Sequence, residues 1–123
     1  MADRIKGITI EIGGDTTGLS KALSGVNKEI KDTQTQLKDV NRLLKMDPGN
    51  TELLRQKYDL LNKSIDSTEK KLDTLKQAEK QVQDQFKRGK VSESQYNALK
   101  REVIATENKL SDLKSVSYTH LTL

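Results

Sequence analysis

Along residues 8–12 apolar and polar side chains alternate: Ile8, Thr9, Ile10, Glu11, Ile12. A period of two with β-branched residues predicts a strand. Gly13 and Gly14 end it, and Asp15, Thr16 and Thr17 offer side-chain oxygens to cap a following helix. The period then changes. Leu19, Leu23, Val26, Ile30, Thr33, Leu37, Val40 and Leu44 stand alternately four and three residues apart, a heptad seam in which Thr33 fills one slot. It predicts a helix over about residues 16–46, with a seam roughly 40 Å long. Gly25 lies off the seam, where it costs about 1 kcal/mol against Ala.

The segment "KMDPGNTELL" breaks the pattern. Pro48 with Gly49 stops a helix, and Asn50 or Thr51 can cap the next. The seam then resumes through Leu54, Tyr58, Leu61, Ile65, Thr68, Leu72, Leu75, Glu79, Val82 and Phe86, predicting a helix over about 51–88. A second break, "KRGKVSESQY", places Gly89 at a helix end. Ser92 and Gln95 follow with capping-box spacing, and Val91 and Tyr96 stand where a hydrophobic staple needs them. The third seam is Tyr96, Leu99, Val103, Thr106, Leu110 and Leu113, in a helix of about 92–114.

The expected fold is therefore all-α: long heptad-patterned helices forming antiparallel coiled-coil hairpins, preceded by one short β-strand. Residues 1–14 carry the strand and turn, and 15–114 the helices, which reverse at 47–50 and 88–91. Each seam holds a threonine (Thr33, Thr68, Thr106), and a hydroxyl there forfeits about 1 kcal/mol of transfer energy per methylene-sized group. Such helices are marginal alone and need a partner, in the same chain or another. The positions flanking the first seam are mostly uncharged (Ser20, Asn27, Gln34 and Asn41 on one side, Ala22 and Gln36 on the other). Flanking charges normally select coiled-coil partners, so this helix suits a spacer better than a discriminating dimeriser.

Composition agrees with narrow seams rather than a globular core. Of 123 residues, 33% are hydrophobic and 33% charged, with one Phe, three Tyr and no Trp; mean hydropathy is −0.77. The net charge of +4 comes from interspersed signs, the mark of solvated helix faces. With few aromatics to stack on bases, nucleic acid is not an expected partner. No cysteine is present, which excludes disulfides and thiolate metal sites. No apolar run approaches the length of a membrane span, and no secretory leader is visible.

No catalytic constellation emerges. The single histidine, His120, lies in the last nine residues, so histidine metal sites and Ser-His or Cys-His pairs have no members elsewhere. The carboxylates fall between seam positions, on solvated faces. "IGGDTTG" precedes a helix but lacks the lysine of a phosphate-binding loop. "DPGNTELL" is like an inter-repeat turn of tetratricopeptide arrays, yet no such period returns. No enzyme, cofactor, metal or small-molecule substrate is expected. The end of the chain, "SVSYTHLTL", drops charge and pattern together; it reads as a non-native tail over 115–123, like a translated sequencing adapter, with the natural protein continuing past Lys114.

Three stretches together resemble a known family: "RIKGITIEIGGDTTGLSKAL", the break "LLKMDPGNTELL" and the helix start "VSESQYNALKRE". The chain from Ile5 to about Leu113 is similar to the N-terminal region of tail tape measure proteins of long-tailed phages and prophages of Gram-positive bacteria. The resemblance implies a long, mainly helical virion structural protein, made in the host cytoplasm. It would lie in the tail lumen, set tail length, and contact tail-tube and tail-end proteins and its own copies. Members of the family are much longer, often with apolar segments and some with a cell-wall hydrolase domain, and none of that is in these residues. The strand, through Ile8, Ile10 and Ile12, is expected to pair with another copy or a tail-end partner, or else to fray or lie back on its own helix. The competing expectation is a bacterial coiled-coil adaptor, a helical hairpin that docks other proteins.

Overall fold

The computed structural model describes Ile5 and residues 7–122, apart from the side chains of 118–122. Its elements in chain order are β1 (Thr9–Ile12), β2 (Asp15–Gly18), α1 (Leu19–Met46), α2 (Thr51–Lys87) and α3 (Glu93–Thr122). At 28, 37 and 30 residues, the helices are about 42, 55 and 45 Å long. α2 lies in the middle and packs against both neighbours, antiparallel to each. The all-α architecture of long helices is what the heptads predict.

The strand is different in one respect: it has a partner. β1 pairs antiparallel with β2, with Ile12 opposite Asp15, Ile10 opposite Thr17 and Thr9 opposite Gly18. Gly13 and Gly14 form the two-residue loop with φ of +61° and +87°. Positive φ at both central positions is what a type I′ hairpin turn demands, and its twist matches that of paired strands. The glycines therefore turn a strand rather than merely end one. Asp15, Thr16 and Thr17 accordingly belong to β2 and do not cap α1. The cap is Gly18, with no side-chain hydrogen bond. Instead the Leu19 N–H, one of the orphan donors of a helix start, donates to the Ile8 carbonyl at 2.8 Å. α1 is thus fastened to β1 through its first amide.

The two helix reversals follow the local signals. Asn50 caps α2, its side chain accepting from the Leu53 N–H at 3.0 Å. At the end of α2 the Lys90 N–H donates to the Gln85 carbonyl at 2.9 Å and the Gly89 N–H to Phe86 at 3.0 Å. These are the two bonds of a Schellman ending, with Gly89 at φ +74° as it requires. Ser92 and Gln95 then exchange bonds: the Gln95 N–H donates to Ser92 Oγ at 3.1 Å, and the Ser92 N–H to Gln95 Oε1 at 3.0 Å. Past residue 114 the helix does not stop; α3 continues to Thr122, with Ser117 buried in the next seam slot.

The core is divided. At the hairpin end Ile5, Ile8, Ile10, Leu19, Leu23, Leu75, Ala78, Val82, Val91, Ala98, Leu99 and Val103 form one buried cluster. Beyond it lies a smaller cluster of Leu37, Leu61 and Leu113, with Leu60 and Ile65 against it. Val40 and Leu44 are buried further along α1.

Candidate functional site

The heptad residues are spent inside the chain. Leu19, Leu23, Leu37, Val40, Leu44, Leu61, Leu75, Val82, Leu99, Val103 and Leu113 are buried. Val26, Ile30, Leu54, Tyr58, Ile65, Leu72, Tyr96 and Leu110 are half-buried. Phe86 is the exception at 37% exposure; its ring stacks on Tyr96 with centroids 5.0 Å apart, and the Lys100 ammonium sits 4.1 Å from the Tyr96 centroid. The seams therefore zip three helices of one molecule.

A middle helix needs two seams, and α2 has them. The second runs through Leu60, Ser64, Ser67, Lys71, Thr74, Ala78, Gln81 and Gln85, again alternately four and three apart. Hydrophobic periodicity misses it because most of these side chains are small or polar. The signal was the 3–4 spacing of small residues beside a heptad, which lets a neighbouring backbone approach closely. Ser64, Ser67 and Ala78 are buried there, and Ser67 Oγ donates to Glu29 Oε2 of α1 at 3.3 Å.

This second seam also governs the expected docking strand. Ile8 and Ile10 are each 1% exposed, and only Ile12, at 41%, is open to solvent. Thr9 and Glu11 turn their backbone groups away from β2, toward α2. There the Gln81 amide accepts from the Glu11 N–H at 2.6 Å and donates to the Glu11 carbonyl at 2.8 Å. Gln85 donates to the Thr9 carbonyl at 2.9 Å. A primary amide has one donor side and one acceptor side in the spacing of a peptide group, so Gln81 acts as a one-residue substitute for a third strand. An unpaired edge is a template for another chain; this edge of β1 is covered by its own helix. Of the alternatives for the strand, the structure has it lying back on its own bundle.

Over the outer hairpin face lies an open groove of about 720 Å³, bordered by Glu11, Asp84, Gln85, Arg88 and Lys90. Its charges are mixed, and Arg88 is held by Asp84 at 3.3 Å with both side chains well exposed. Polar and balanced in sign, it presents hydrogen-bonding groups and charges to solvent. Among the described residues, no cluster of three or more His, Cys, Asp or Glu is placed to hold a metal ion. No helix there is long and apolar enough to cross a membrane.

The seam threonines converge. Thr33, Ser67, Thr68 and Thr106 are buried between the two apolar clusters, and Ser64 is buried a turn further along, among the residues of the smaller one. Thr33 Oγ1 donates to the Glu29 carbonyl of its own helix at 2.8 Å, whereas Ser64 Oγ and Thr68 Oγ1 have no hydrogen-bond partner. Between α1 and α3 at this level runs an open groove of about 290 Å³, bordered by Gln34, Lys71, Glu102 and Lys109, that Thr68 and Thr106 help to line.

The fold and its surfaces define a class: a long three-helix bundle closed at one end by a β-hairpin, with its seams satisfied internally. No protein-family model, no curated protein and no solved structure matches this chain.

Proposed function

We propose that this chain is the N-terminal region of a tail tape measure protein of a long-tailed phage or prophage, a structural and non-enzymatic protein that sets tail length and scaffolds tube assembly. The reading rests on the resemblance carried by the "RIKGITIEIGGDTTGLSKAL" stretch, the "LLKMDPGNTELL" break and the "VSESQYNALKRE" start. The observation that supports it best is that about three-quarters of the residues serve helix length: three helices of 28, 37 and 30 residues are joined by short, well-capped turns. A helix converts residue number into length at a fixed rise, which is the property a ruler uses. In this reading the protein lies in the tail lumen, with tube and tail-end proteins and further copies as its partners.

A second reading is favoured by one observation, the satisfaction of the seams within a single chain. A self-contained bundle also fits a coiled-coil adaptor that presents its hairpin end to another protein. Deleting one heptad in register from each of α1, α2 and α3 in the complete protein separates the two. Folded helices share one axial stretch, so a ruler that stays folded gives tails about 10 Å shorter; one that opens into a continuous rod gives about 32 Å. Tails of unchanged length by electron microscopy overturn the ruler reading and leave the adaptor.

A further inference from the structure

We infer that the buried hydroxyl belt is a parting line built into the bundle: the half beyond it opens as a separate cooperative unit while the hairpin half stays folded. The belt is Thr33, Ser67, Thr68 and Thr106, with Ser64 on its far margin, none more than 5% exposed. On its hairpin side lies the large apolar cluster, tied further by the Gln81 and Gln85 amides and by the Leu19–Ile8 bond. On its other side the clustered leucines are Leu37, Leu61 and Leu113. Stability within one structure follows the density of buried apolar contacts, so the two halves differ in what holds them.

The belt itself couples them poorly. Ser64 Oγ and Thr68 Oγ1 are desolvated without a partner, and each recovers its lost hydration when the far half opens. The groove at this level is open to solvent and bordered by Gln34, Lys71, Glu102 and Lys109, so apolar packing does not bridge α1 and α3 there. The Glu69–Lys114 pair spans 3.7 Å with both side chains more than half exposed, a weak tie. The closest shielded pair, Lys71–Glu102 at 3.8 Å, has side chains only 20% and 23% exposed and marks the border of the belt. The device is independent of any role in a tail; it is a property of the packing.

Native-state hydrogen exchange on the full chain, read amide by amide in low denaturant, tests it. Amides of α1 beyond Thr33 and of α2 before Ser64 should exchange at least about 100-fold faster than those near Leu75, Val82 and Leu99, with a step at the belt. A single protection level throughout, or a smooth decline from the far end without a step, overturns the inference. Val103→Ala, in the hairpin half, should lower protection there by about 10- to 100-fold and leave the far half unchanged; equal loss in both means one unit and overturns it. Ser64→Ala with Thr68→Val removes the orphan hydroxyls, which are exposed in partial and complete opening alike. Protection should then rise about 10-fold in both halves, and a rise confined to the hairpin half would remove the parting line from the belt. The wild-type step decides the matter even if a variant fails to fold.

Discussion

Gln81 is the residue by which the hairpin is joined to the bundle edge, and replacing it measures that joint. Gln81→Met keeps the aliphatic stem and a nearly equal helix propensity, so the change isolates the amide. Two hydrogen bonds to Glu11, at 2.6 and 2.8 Å, are lost. A net protein hydrogen bond contributes about 0.5–1.5 kcal/mol. Because Gln81 is only half-buried, water replaces part of the loss, and the expected destabilisation is about 1–2 kcal/mol. For a chain of this size that lowers Tm by roughly 3–8 °C. Urea denaturation followed by far-ultraviolet circular dichroism gives the free energy, and exchange of the Glu11 amide reports the site directly. Gln81→Glu is the companion variant: its carboxylate still accepts but cannot donate to the Glu11 carbonyl. Its deficit should be at least as large at neutral pH and should shrink in acid, where protonation restores a donor. A Met variant within about 0.3 kcal/mol of wild type, a tenth or less of the usual span for single substitutions, with Glu11 exchange unchanged, would refute the idea that this amide closes the strand edge.

Gly14→Ala should cost about 1–2 kcal/mol, because φ of +87° is strained for a residue with a Cβ. Gly25→Ala, in α1 with open space around the added carbon, should stabilise by about 1 kcal/mol; thermal denaturation of the pair checks both signs. The Glu52 carboxyl is lowered from 4.5 to about 2, first by its hydrogen bond from Arg55, then by Gln56 and the guanidinium charge. Its contribution is therefore complete above about pH 4.5 and is lost as pH falls toward 2. Glu52→Gln should flatten that part of the stability–pH curve, and the difference should shrink in high salt because the pair is exposed.

The parts of this fold that sequence declares openly are those made by neighbours in the chain. Asn50 at a helix start, Gly89 at a helix end and the Ser92–Gln95 box each act within a few residues, and each does in the structure what its local chemistry requires. The heptads of Leu23, Leu61 and Leu99 likewise announce long amphipathic helices, since burial of one face follows directly from a 3.5-residue repeat. β2 was legible in principle, because Gly13-Gly14 is a hairpin loop signature; its strand, Asp15–Gly18, hid because four polar or small residues show no alternation.

What sequence could not declare depends on residues brought together from far apart. Gln81 reads as an ordinary surface residue until Glu11, seventy positions away, is laid beside it. The second seam of α2 is invisible to hydrophobicity because close helix approach favours small side chains there. Thr33, Thr68 and Thr106 are each a blemish in a separate heptad, and only packing brings all three into the interval between the two apolar clusters. The chain by itself determined its helices, their ends and their greasy stripes, through interactions spanning a turn or two. Tertiary structure decided which stripes meet, that the strand edge is closed, and where the core is divided, because those outcomes are set by contacts whose free energy exists only once distant segments share a neighbour.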